Sequence, residues 1–342
     1  EYGDASLALE HILYSIAMKN IAIVGAGLAG LTAARGLSKN SNIQIFEKSW
    51  RAGGRMSSRQ KGYHYDHGAQ YFTARSSDFK TFLSPFIQQG IITRWDANFI
   101  ELDRDAIVRH RQWNAEYPHY IAVPGMNALC QALATDLDVQ YDTHVTSIQT
   151  AGAQWALKAN ENTSLGTFDW VITAVPAQQA AALMPGVFTH SKQLRQKKMQ
   201  ACFTLMLGFD QPLRTDFDCA MVNNADISWI SVNSSKPGRP KDYTLVIHSS
   251  NSWAEANISL DNDNVKIHLI KEACDVLKRD ITKARHISLH RWLYANITKQ
   301  AGAKALIDTE NKLAAIGDWC IKGRVESAFI SASELTALQF TE

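Results

Sequence analysis

Residues 21–58 read IAIVGAGLAGLTAARGLSKNSNIQIFEKSWRAGGRMSS, and this stretch decides the fold. Asn20–Val24 is a short apolar run, the pattern of a parallel strand covered on both faces. Gly25, Gly27 and Gly30 follow as G-x-G-x-x-G, and Leu28–Leu37 reads as the helix they open. In that motif the first glycine permits the tight turn and the second lets backbone approach a pyrophosphate. The third lets the helix pack close on the strand. The helix N-terminus then offers free N–H groups and the positive end of its dipole to phosphates. Ile43–Glu47 is a second strand, and Glu47 closes it 20 residues after Gly27. An acid at that point accepts hydrogen bonds from ribose hydroxyls. Together these features predict an adenine-dinucleotide site.

The chain has 342 residues and a net charge of +2. That length suits one large or two interleaved domains. So small a charge gives no reason to expect nucleic acid or a membrane surface as partner. Five cysteines, with no CxxC pair, point to a reducing compartment, and the cytoplasm is expected. No apolar run of about 18 residues predicts a transmembrane helix. Residues 1–17 are read as an N-terminal extension preceding Met18.

Further along, 62–111 reads as irregular and aromatic. Val139–Thr173 reads as an antiparallel meander, and Phe168–Val175 as a strand returning to the nucleotide sheet. Cys202–Phe209, Tyr243–His248, Ile287–Tyr294 and Leu313–Trp319 read as strands. Val265–Leu277 and Val325–Leu338 read as helices. Nucleotide-type segments at both ends predict an α/β fold with a discontinuous Rossmann-like domain (18–75, 122–180 and 310–342). An interleaved α+β substrate domain takes 76–121 and 181–309. No HExxH or paired Cys/His spacing appears, and His64 and His67 are read as loop or packing residues, so no metal is expected.

Directly after the ribose acid come Lys48, Arg51, Gly53, Gly54, Arg55 and Ser57. Glycines let the chain pass beside a bulky ligand, and arginines neutralise phosphate charge. This R-x-G-G-R-x-S element resembles the second fingerprint of the amine-oxidase-like flavoproteins. Gly317-Asp-Trp-Cys-Ile-Lys-Gly-Arg-Val-Glu-Ser-Ala328 resembles their C-terminal segment, with Ser327 where glycine is common. The resemblance implies non-covalent FAD and a p-hydroxybenzoate-hydroxylase/monoamine-oxidase-like fold. It places Asp318, Arg324 and Val325 at the flavin, and Val145 at the adenine.

Five further segments, 66–75, 235–239, 246–253, 290–295 and 317–326, are similar to bacterial members of the renalase family. That resemblance implies oxidation of 2- or 6-dihydro isomers of NAD(P), with oxygen reduced to hydrogen peroxide. Losing a hydride aromatises the dihydropyridine ring, so the protein need only position it and exclude side reactions. Gln70, Tyr71, His248, Trp292 and Tyr294 are the candidates for that task. Trp292 and Tyr294 are two apart on a predicted strand and are expected to share a face. An amine oxidase, with Lys236 as its flavin-side lysine, is the enzymatic alternative. A flavin-binding protein without turnover is the other.

Overall fold

The computed structural model describes residues 18–337. The expected extension at 1–17 and the final residue of the expected helix 325–338 lie outside them. The twenty strands among the described residues are numbered in chain order.

The nucleotide-side sheet has six strands in the order β19-β20-β13-β1-β2-β9. They are β1 (Lys19–Val24), β2 (Ser41–Phe46), β9 (Asp138–Gln140), β13 (Trp170–Thr173), β19 (Leu306–Asp308) and β20 (Leu313–Ala315). All pair in parallel except β19 with β20. The apolar run of β1 is explained by cover on both faces. Ile21 and Ile23 pack with Leu28 and Leu31 of helix α1 (Leu28–Leu37). Ala22 and Val24 face Val145, Leu157 and Phe168. Those three belong to the three-stranded antiparallel sheet of β10 (Val145–Ala151), β11 (Gln154–Ala159) and β12 (Ser164–Phe168).

Three expectations change here. Val139 starts no meander: β9 pairs in parallel with β2, because it follows a helix at 128–134 and returns to the sheet as a crossover connection does. The expected strand Phe168–Val175 is divided between β12 and β13, with Asp169 at the break accepting from the Asn20 N–H. The expected strand Leu313–Trp319 is also shorter. After β20 the chain turns through a 3-10 segment, Asp318–Cys320, and the Trp319 indole folds back to donate to the Val175 carbonyl at 3.0 Å.

The second sheet has seven strands in the order β18-β14-β17-β16-β15-β6-β7. They are β6 (Asn98–Asp103), β7 (Ala106–Gln112), β14 (Gln200–Phe209), β15 (Cys219–Asn223), β16 (Ile227–Val232), β17 (Tyr243–Ser249) and β18 (His286–Asn296). One face buries Phe203, Leu205, Leu207, Leu245 and Ile247 against Val265, Leu269 and Ala273 of helix α3 (Asn262–Leu277). The opposite face carries His248 of β17 and Met206 of β14. It meets the hairpin of β3 (Ser58–Lys61) and β4 (Tyr63–Asp66), where Tyr65 packs on Met206 and Val246.

The stretch 62–111 is more regular than its composition suggested. It holds β4, helix α2 (Ser77–Gln88), β5 (Ile92–Arg94), β6 and β7, and β5 pairs with β8 (Tyr120–Ala122). Ser76 caps α2 by accepting from the Phe79 N–H. The aromatic residues are helically spaced: Phe79 and Phe82 pack on Phe329 of the C-terminal helix α4 (Val325–Ala337). Strands β15 and β16 were not anticipated from the sequence.

Candidate active site

A cavity of about 1710 Å³ is lined by residues of all three sequence elements and of the second sheet. Drug-sized ligands fill roughly 300–1,000 Å³, so there is room for a dinucleotide and a second molecule. Eleven of the twelve expected cofactor residues line it: Gly25, Gly27, Glu47, Lys48, Arg51, Gly54, Arg55, Val145, Asp318, Arg324 and Val325. Gly30 lies behind the loop instead. A Cβ there would meet the Gly25 carbonyl oxygen at 2.1 Å, whereas a Cβ on Gly27 would meet nothing within 4 Å. The motif's division of labour is thus visible: one glycine admits the helix, and the other keeps the cavity wall bare.

Glu47 pins this loop to the end of β2. Its carboxylate accepts from the Ala26 N–H at 2.8 Å and from the Ser49 N–H at 2.8 Å. Arg55 and Asp318, 263 residues apart, form a bidentate ion pair with Nη1 to Oδ2 at 2.9 Å. The second and third elements therefore close on each other. Glu326 extends that closure by accepting from the backbone N–H groups of Arg75 and Ser76 ahead of α2. An open glycine face, a helix N-terminus and flanking cations fit the diphosphate of a dinucleotide cofactor.

The wall toward the second sheet is aromatic and imidazole-rich. Trp292 stacks on His67 with ring centres 5.3 Å apart and donates its indole N–H to the His67 carbonyl at 3.0 Å. His290 meets Trp292 edge-on at 4.3 Å. Tyr71 packs among Trp113, His119 and Trp229. Gln70 donates to the backbone carbonyls of Asp66 and Gly68, and its Nε2 lies 3.4 Å from His248 Nε2. All five expected substrate-side residues line the cavity.

Trp292 and Tyr294 do not share a regular face, however. Cys202 pairs with Trp292 while Gln200 pairs with Asn296, so β18 bulges between them. The bulge breaks the two-residue alternation and leaves Tyr294 leaning on the nucleotide-side core. His67, His290, His119 and Trp229 were not proposed from the sequence. His290 precedes Trp292 by two on one strand, so the alternation argument already pointed to it. The other three reach the wall from separate loops and strands.

Lys236 is not a cavity residue. It is fully buried, and Nζ donates to Asp66 Oδ2 (3.2 Å), Gln70 Oε1 (3.1 Å) and Asn233 Oδ1 (3.1 Å). Three donors with three acceptors account for the whole ammonium group. Its role is to hold Gln70 from behind. Among the described residues no His/Cys/Asp/Glu cluster suits a metal ion.

Burial lowers the pKa of His248 to about 4, of His67 to about 3 and of His290 to about 4, and nearby Lys236 or Arg59 adds to it. The wall is therefore neutral at pH 7. These values lie below the ordinary 6.5, so the unfolded chain binds more protons than the folded one between about pH 6.5 and 3. Stability is complete above 6.5 and falls as pH drops through that window. Urea midpoints at pH 7.5, 6.0 and 5.0 are expected to decline steadily, and a flat profile would contradict buried neutral imidazoles.

The geometry thus defines a dinucleotide-cofactor protein with a second, aromatic compartment. A profile described as "NAD(P)-binding Rossmann-like domain" matches residues 23–86, and one described as "Flavin containing amine oxidoreductase" matches residues 96–333. The chain belongs to the flavin-containing amine oxidoreductase family, and its expected cofactor is accordingly a flavin. A chloroplastic/mitochondrial protoporphyrinogen oxidase 2 of Arabidopsis thaliana is 39% identical over 66 residues, 19% of this chain and 13% of that protein. Among solved structures, a "Putative protoporphyrinogen oxidase" of Exiguobacterium sp. 255-15 superposes with a TM-score of 0.72 at 13% identity. It covers 94% of this chain and 99% of its own. A putrescine oxidase bound to putrescine gives 0.66 at 12% identity, covering 94% and 98%. At such identities these likenesses establish the fold alone. Among the described residues no helix is long and apolar enough to cross a membrane.

Proposed function

We propose that this chain is a renalase-like oxidase, taking 2- or 6-dihydro isomers of NAD(P) to NAD(P)+ with oxygen as final acceptor. The observation in its favour is the character of the cavity. Eight cationic side chains and four carboxylates line it, while the wall of Tyr71, Trp229, His67, His248 and Trp292 is uncharged. A flat, neutral dihydropyridine carrying a pyrophosphate suits both properties. An alkylammonium would enter against the field.

Bound FAD supplies a hydride acceptor that oxygen can reoxidise, with peroxide as product. The protein's own part is positioning. Trp292 and His67 present a flat stacked surface, His248 presents its imidazole to a carboxamide with Gln70 fixed against it, and the packed aromatic layer excludes water. No side chain has to remove a proton, because aromatisation drives the step. We read the flavin as non-covalently held. Cys320 is buried away from the cavity, and burial pushes its thiol to about 12. All five cysteines are free, which suits the cytoplasm.

Amine oxidation is the second reading. Tyr71 and Trp229 pack on each other and both line the cavity, so together they offer one aromatic surface against which a cation could rest. The flavin-loaded protein, mixed without oxygen with 6-dihydroNAD and separately with an arylalkylamine, separates the two. Bleaching by the dinucleotide alone, with peroxide on admitting air, is expected. Bleaching by the amine alone would replace the proposal, and no bleaching with either would leave a flavin-binding protein without this turnover.

A further inference from the structure

Arg59 and Lys61 alternate along β3 and both line the cavity. Neither belongs to the fingerprint elements. Among the described residues neither forms an ion pair with a carboxylate within 4.0 Å, in contrast to Arg55, which is matched by Asp318. Arg291, another cavity cation, is committed to the carbonyls of Ile258 and Leu260. The polar contact of Arg59 is Nη2 to His290 Nδ1 at 3.4 Å, a long bond to a neutral ring and easily surrendered. Arg51 is close enough that Arg59 adds to the lowering of its pKa by burial. With Arg51 given to the cofactor, Arg59 is left as a cation beside it without a carboxylate, a cost that a second anion relieves.

The location matters as much as the charge. His290 joins Arg59 to the Trp292 and His67 wall: it contacts His67 at 4.9 Å and Trp292 at 4.3 Å between ring centres. A ring stacked on that wall and a phosphate at Arg59 are separated by a single imidazole.

We propose that Arg59 and Lys61, with His290 beside them, form a second anion subsite that holds the pyrophosphate of a dinucleotide substrate. This rests on the dinucleotide reading given above. Arg59 supplies a planar fork for phosphate oxygens and Lys61 a mobile point charge at the exposed end.

The test titrates the flavin-loaded protein with ADP-ribose, which carries the pyrophosphate and no nicotinamide. Binding is read from the flavin spectrum and tryptophan fluorescence, with inorganic pyrophosphate as competitor. Arg59→Met is expected to weaken ADP-ribose at least tenfold, Lys61→Met about threefold and Arg59→Lys by an intermediate factor. Wild-type affinity is expected to fall steeply with salt. Arg59→Met is also expected to raise KM for 6-dihydroNAD tenfold while leaving KM for 6-dihydronicotinamide riboside within twofold. Flavin content reports that each variant is folded. ADP-ribose bound equally well by wild type and Arg59→Met, or not bound by wild type at millimolar concentration, would overturn the subsite. If 6-dihydroNAD leaves the flavin oxidised but ADP-ribose binds through Arg59, the subsite stands and the substrate reading falls. If 6-dihydroNAD reduces it with one KM in both proteins, the reading stands and the subsite falls.

Discussion

Asp66→Ala is expected to cost about 3–5 kcal/mol of stability, a large share of what a folded protein possesses. Asp66 is fully buried. Oδ2 accepts from Lys236 Nζ and from both Nε and Nη2 of Arg239, while Oδ1 accepts from the Ser58 hydroxyl and the Met126 N–H. Removing the carboxylate leaves two fully buried cations facing each other. Burial alone would raise the Asp66 pKa, but Lys236 and Arg239 outweigh it and hold it well below the carboxylate range. Its contribution is therefore present above its unfolded value near 3.8 and is lost as pH falls below that. Denaturant midpoints give the measurement. Replacing all three charges with apolar groups of similar size is expected to recover at least half the loss. A single-variant loss under 1 kcal/mol would mean that the triad is not the clamp it looks.

Gly30→Ala and Gly27→Ala are expected to part company. In the first, the new methyl meets backbone oxygen at 2.1 Å, so α1 must leave β1. A cost of about 1–3 kcal/mol follows, together with flavin loss. In the second, the methyl projects into open cavity space, so the fold is kept and only flavin retention suffers. Flavin-to-protein ratio against melting temperature separates the two. Unchanged melting of Gly30→Ala would refute the close helix–strand contact.

What could be read from the sequence was local. The turn at 25–30 specifies its own conformation within six residues, so the strand, helix and Glu47 follow from spacing. Partner choice was hidden, because it depends on residues far away. Nothing in "VQY" says that β9 joins β2 rather than β10. Nothing near Cys219 says that β15 runs parallel to β6. Lys236 looked like a flavin-side lysine, because charge attracts attention and burial against Asp66 cannot be seen in one dimension. Tyr294 lines the cavity as expected, and only its shared face with Trp292 was misread, because alternation assumes a strand without a bulge.

The order of the six-stranded sheet has a consequence for how the protein is made. β1 leaves the ribosome well ahead of β13, its partner on one side, which lies almost 150 residues later. At cellular rates that is a wait of roughly ten seconds or more. The Arg55–Asp318 pair needs 263 residues of further synthesis. During that interval the nascent chain presents an unpaired apolar strand edge, the kind that other chains can join. The cofactor cavity is complete only once both parts of the chain are made, and until then cover of that open edge guards against joining by other chains.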